Sequence, residues 1–164
     1  MALKDILKED QKNALKTGDT QRRTLLGMVL AAIKNKELEK RSKLVVTVTD
    51  PAKLERQSEL NDTETMAVVA SEVKRRRDSV AEFEKGGRPE LAASEQAEID
   101  ILVTYLPEQM SDETLRDLIQ NNIADMGASS IKDMGKIIAA VMAEVKGKAD
   151  GQRVSSFVKE ELSR

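Results

Sequence analysis

The segment Tyr105-Leu106-Pro107-Glu108-Gln109-Met110-Ser111 decides how this chain divides. Pro107 cannot continue a helix and pushes the residue before it out of helical geometry, so the periodic apolar run Leu91, Ile99, Leu102, Val103 and Leu106 must end here. Ser111 is a good N-cap for whatever follows. The boundary therefore falls at Pro107. The pattern on either side predicts an all-α protein, with a helical N-terminal domain over residues 1–107 and a small three-helix C-terminal module over residues 108–164.

Downstream of the boundary the punctuation is dense. Ser111 opens a helix that runs to about Met126, and Gly127 closes it as a left-handed cap. Ser129 or Ser130 opens a second helix and Gly147 closes it. Asp150 then caps a third, which carries Val154, Phe157, Val158 and Leu162 at helical spacing. Three short amphipathic helices joined by tight turns can bury one another's apolar stripes.

Upstream, Leu3, Ile6, Leu7, Ala14 and Leu15 share a helical face that Gly18 ends. Asp19 or Thr20 caps the next helix, whose wide stripe of Leu25, Leu26, Val29, Leu30 and Ile33 fades into Lys34 to Lys43, read as a solvated extension. The β-branched stretch Leu44 to Thr49, followed by Asp50-Pro51, lacks helical spacing and has no second strand to pair with; it reads as a loop excursion. Asn61 and Glu64 form a capping-box pair ahead of Met66, Val69, Val73, Val80 and Phe83, and Gly86-Gly87 stops that run. Pro89 opens the helix that Pro107 ends.

What the chain lacks prunes its chemistry. There is no Cys, His or Trp, and the aromatics are Phe83, Tyr105 and Phe157. Thiolate nucleophiles, disulfides, Cys or His zinc sites and the usual general base near neutral pH are all missing. No carboxylate sits in an apolar stretch that would tune it, and no P-loop, dinucleotide or nucleophile motif appears. We assign no catalytic residue, metal or cofactor, and expect no small-molecule substrate. The 27 Lys and Arg nearly balance the 29 Asp and Glu, so any nucleic-acid contact must be local rather than driven by net charge. The acid-bearing first ten residues do not read as a leader, and the apolar run Leu25 to Ile33 is too short to span a bilayer. The expectation is a cytoplasmic protein with no membrane partner.

Two basic clusters remain. Lys74, Arg75, Arg76 and Arg77 could pair with phosphate, but on a helix they point to different sides beside Glu72, Asp78 and Glu82; an ion-paired, solvated face is favoured over a binding patch. Lys146, Lys148 and Arg153 gather around Gly147 and Asp150. A helix N-terminus attracts anions, yet a capping Asp150 occupies the amides an anion would need, so Gly147 and Asp150 read as caps. For the three cations, a nucleic-acid backbone contact and plain solubility stand level. Gly135, costing about 1 kcal/mol inside a helix, suggests close packing lined by Met134, Ile138, Val141 and Met142.

Five segments in register extend this reading: Gln21-Arg22-Arg23-Thr24-Leu25-Leu26, Glu72-Val73-Lys74-Arg75-Arg76-Arg77-Asp78-Ser79, Tyr105-Leu106-Pro107, Asp133-Met134-Gly135-Lys136 and Lys146-Gly147-Lys148-Ala149-Asp150-Gly151. Together, over nearly the whole chain, they resemble the YqeY family, stand-alone relatives of the C-terminal tail of the B subunit of the tRNA-dependent amidotransferase. The resemblance implies a helical domain followed by a three-helix tail that helps hold tRNA, with contacts around Lys136, Lys146, Lys148 and Arg153. It does not carry over the kinase-like body of that subunit, so a carbon–nitrogen ligase activity with glutamine as amide donor would be inherited in name. The implied partner is tRNA or another structured RNA. The alternative is an adaptor docking on an amidotransferase, an aminoacyl-tRNA synthetase or another protein, with Leu44 to Thr49 as part of its surface.

Overall fold

Eight α-helices and one 3-10 turn account for the regular structure of the computed structural model, which describes residues 1–163, and there is no strand among them. The chain separates into two compact units, Met1–Tyr105 and a second beginning at Leu106.

The first unit contains α1 (Leu3–Thr17), α2 (Thr20–Leu44), α3 (Pro51–Ser58), α4 (Asp62–Lys85) and α5 (Pro89–Val103). Its core is aliphatic: Leu7 from α1, Leu25, Leu26, Val29 and Ile33 from α2, Val69 and Val73 from α4, and Ile99 and Leu102 from α5 are all buried. Each such side chain contributes about 1.5–3 kcal/mol on leaving water. Gly18 ends α1 at φ 76°, and the Asp19 carboxylate accepts from the Arg22 N–H to start α2. Gly27 of α2 faces α1, where a Cβ would lie 2.9 Å from Gln11 Nε2, a contact that the end of this flexible side chain can relieve by moving. At the start of α4 both bonds of the Asn61–Glu64 capping box form, each at 2.9 Å.

The structure corrects the sequence reading of residues 34–58 in two ways. Residues 34–43 are not simply a solvated extension of α2. Glu37 is buried and accepts from Lys4 Nζ and the Leu60 N–H, while Lys40 Nζ donates to the Glu59 carbonyl and to Glu64. The loop expected at Leu44 to Thr49 is present over residues 45–50, but Asp50 and Pro51 then begin a helix that the sequence reading lacks. Asp50 caps α3 by accepting from the Lys53 N–H, and Pro51 takes the first helical position, where its missing N–H costs nothing.

The second unit contains α6 (Asp112–Met126), a 3-10 turn (Ile131–Asp133), α7 (Met134–Val145) and α8 (Gly151–Leu162). Ser111 Oγ accepts from the Thr114 N–H to cap α6, and Gly127 ends it at φ 61°. Leu115, Ile119, Ile137, Val141, Val145, Ala149, Val154 and Val158 form one buried cluster from all three helices. The inward ridge of α7 is thus Ile137, Val141 and Val145; of the four residues expected at the contact, Val141 is buried, Met134 and Ile138 pack against the cluster while partly buried, and Met142 is exposed. Gly135 is not a packing glycine either, since a Cβ there would meet nothing within 4 Å. Polar ties supplement the apolar core. Asn122 donates to Glu144 Oε1 at 3.1 Å, and the Arg116 guanidinium lies 4.1 Å over the Phe157 ring while pairing with Glu160 and Glu161.

Candidate nucleic-acid interface

The turn between α7 and α8 is held from below by the segment that leads into α6. The Met110 N–H donates to the Lys148 carbonyl at 2.7 Å, and Gln109 Nε2 donates to the Gly147 carbonyl at 3.1 Å. Pro107 Cγ would lie 3.6 Å from a Cβ on Gly147. Asp150 starts α8 by accepting from the Arg153 N–H at 2.8 Å. The backbone of Lys146 to Asp150 is therefore fixed by bonds from outside the turn as well as within it.

Two residues, not one, turn the chain at the end of α7. Gly147 has φ 83°, and Lys146 before it has φ 45°, the one non-glycine residue with positive φ among those described. A left-handed conformation costs an L residue with a Cβ about 1–2 kcal/mol. The sequence assigned the closing role to Gly147 alone, since nothing in a lysine's identity signals this geometry.

The four cations of the expected interface are treated differently. Lys136, Lys146 and Lys148 are exposed, and among the described residues none of them has an ion-pair or side-chain hydrogen-bond partner. Arg153 is committed internally: its guanidinium donates to Asp112 Oδ1 at 2.6 Å and 3.0 Å and to the Met110 carbonyl. It fastens α8 to the start of α6. Lys146 and Lys148 share the fixed turn, whereas Lys136 lies at the other end of α7, about 15 Å away by helical rise.

The cluster Lys74 to Arg77 is spread around α4. Arg76 is buried, with Nη1 on Glu72 Oε2 at 2.7 Å and Nε on Glu98 Oε2 at 2.8 Å. Burial works against its charge, but the two carboxylates outweigh it and raise its pKa. Arg75 points to solvent and pairs with Glu72 Oε1 at 3.1 Å, Lys74 is exposed, and Arg77 is likewise engaged in an interaction. The burial of Glu72 and Glu37 escaped the sequence reading because both lie in charged stretches, with no apolar run to mark them. A groove of about 490 Å³ between α2 and α4 has Lys36, Lys40, Lys43 and Arg75 on its walls. Three of these are already paired, with Glu39, Glu64 and Glu72, so the groove offers little free charge. Among the described residues, no three Asp or Glu side chains gather as a metal site would require.

By class, this is an all-helical protein of two units, the second a small three-helix module with an ordered, lysine-bearing turn. The chain belongs to the family described as Yqey-like protein, which matches residues 4–162. Its relatives include the Altered inheritance of mitochondria protein 41, mitochondrial, of Kluyveromyces lactis, 34% identical over 99 residues, covering 60% of this chain and 45% of that protein. The protein of the same name in Saccharomyces cerevisiae YJM789 is 28% identical over 116 residues, 71% of this chain and 54% of that one. One of the glutamyl-tRNA(Gln) amidotransferase subunits of Thermococcus gammatolerans is 34% identical over 74 residues, 45% of this chain and 12% of that much longer protein. The chain thus spans about half the length of the yeast proteins it matches. No helix among the described residues is long and apolar enough to cross a membrane.

Proposed function

We propose that the second unit binds structured RNA, tRNA being the first candidate, through the backbone phosphates. The observation that carries this reading is the α7–α8 turn: two exposed, unpartnered lysines, one of them in a conformation that glycine would adopt more cheaply, on a backbone held by the segment before α6. A cation on a fixed backbone loses less entropy when it meets a phosphate than one on a mobile loop. The likeness to part of a glutamyl-tRNA(Gln) amidotransferase supplies the candidate ligand. On this reading the chain has no reaction of its own and acts in the cytoplasm.

From Leu106 onward the sequence has ten Asp and Glu against eight Lys and Arg, so attraction is local and affinity modest. With Lys146 and Lys148 engaged, the slope of log affinity against log salt should be about −1.4 to −1.8. Filter binding of a tRNA transcript at low salt tests this. Lys146→Glu with Lys148→Glu should abolish retention, whereas Arg75→Glu, on the other unit, should leave it unchanged. Equal retention by wild type and the tail variant would end the proposal, as would no retention of any RNA by wild type.

A further inference from the structure

The outward face of α2 carries a second pattern, unconnected with the core it covers. Thr24, Met28, Ala31, Asn35, Leu38, Ser42 and Val45 are all exposed and recur at alternating steps of four and three residues. Val45 keeps helical dihedrals and donates its N–H to the Arg41 carbonyl, so the stripe is continuous through the end of the helix. None of the seven is charged, although nine of the 25 residues of α2 are. Met28, Leu38 and Val45 are each at least half exposed, at 55%, 50% and 55%. Steps of four and three sustained along a helix are the seam of a two-stranded coiled coil, with Met28, Asn35 and Ser42 at a positions and Thr24, Ala31, Leu38 and Val45 at d.

We infer that this face pairs with the same face of a second copy of the chain, the two α2 helices running parallel and in register. Flanking charges select that occupant. In a parallel pair each g residue meets the residue five positions later on the other helix, which sets Lys34 against the partner's Glu39 and, by symmetry, Glu39 against the partner's Lys34. The other g–e′ pairs on the helix, Thr20 with the partner's Leu25 and Gly27 with the partner's Ala32, are uncharged, and Arg41 falls opposite the partner's uncharged Val46 in the turn past the helix end, so none is repulsive. An antiparallel pair would instead set Lys34 against the partner's Arg41. Within one chain Glu39 pairs with Lys36 across one turn at the surface, a contact weak enough to exchange. Asn35 at a central a position meets its own symmetry mate in the parallel register alone, the known means by which a polar seam residue fixes alignment. Thr24, Asn35 and Ser42 keep the seam weak, so the dimer should dissociate at roughly 10–100 µM.

Sedimentation velocity of the 164-residue chain from about 5 to about 500 µM should show a monomer–dimer equilibrium. Leu38→Glu, at an exposed position that keeps the fold, should leave a monomer throughout. Lys34→Glu alone should weaken association tenfold or more, and Lys34→Glu with Glu39→Lys should restore it. The chain has no cysteine, so Met28→Cys oxidised at high concentration reports orientation directly. It should crosslink to itself, because position 28 faces its own mate in the parallel register and Val45 in the antiparallel one. A wild-type monomer at all concentrations overturns the inference. So does association indifferent to Leu38→Glu, failure of the charge swap to restore it, or a Met28→Cys variant that crosslinks only when mixed with Val45→Cys.

Discussion

Arg76 shows why residue type alone misleads. In sequence it is one of four consecutive cations, but in the structure it is an interior residue neutralising Glu72 and Glu98. Arg76→Ala should destabilise the first unit by about 2–3 kcal/mol in urea unfolding, because it removes the buried partner of Glu72 and Glu98 and leaves Glu72 with the exposed Arg75 alone, whereas Lys74→Ala should change it by less than about 0.5 kcal/mol. Glu37 supplies a pH dependence of definite sign. Burial raises its pKa, but the hydrogen bonds from Lys4 and the Leu60 N–H more than offset this and the folded-state pKa lies below the ordinary 4.5. Stability from Glu37 is therefore complete above that value and is lost as pH falls through the lowered one. Glu37→Gln should flatten the acid limb of a stability–pH curve measured by urea denaturation; an unchanged limb would remove Glu37 from the account. Lys146 separates fold from function. Lys146→Gly should raise the stability of the tail by about 1 kcal/mol, by relieving the left-handed lysine, while weakening RNA retention.

At the scale of elements, caps and most buried faces are legible: Leu25, Leu26, Val29 and Ile33 of α2, Val69 and Val73 of α4, and Val154 and Val158 of α8 are buried as their spacing predicts. Asn61 with Glu64, Ser111, Gly127 and Asp150 announce helix ends because each residue's chemistry satisfies terminal backbone groups irrespective of tertiary context. Helix α3 stayed hidden because Asp50-Pro51 reads equally well as a stop or a start, and eight residues hold too little periodicity to decide. The face of α7 is only partly legible for a related reason: apolar residues cover most of its circumference, so Val141 is read correctly while the packing of α6 and α8 adds Ile137 and Val145 and leaves Met142 outside. The cation turn was partly legible, since charge and capping located it, but the diversion of Arg153 to Asp112 and Met110 depends on a segment some forty positions earlier in the chain. Gly135 yields the prediction peculiar to α7. With nothing near its would-be Cβ, Gly135→Ala should stabilise the tail by about 1 kcal/mol in thermal unfolding, and a loss of stability there would mean that the site is filled.

For the whole molecule, a net charge of −2 leaves little long-range field, so recognition rests on short-range surfaces in each unit. The proposed surfaces use different residues. Lys146→Glu with Lys148→Glu should leave sedimentation unchanged, and Leu38→Glu should leave the RNA affinity of the monomer unchanged; cross-effects in both directions would show that the two surfaces are not separate. The hold on the α7–α8 turn also governs timing. Gln109 and Gly147 are 38 residues apart, so the lysine geometry is completed by a contact that closes a long loop. Helices form within microseconds, but a contact of that separation waits for the chain between to condense. During refolding, helical ellipticity should therefore return before RNA competence, and a chain still emerging from a ribosome would carry these lysines without yet holding them in place.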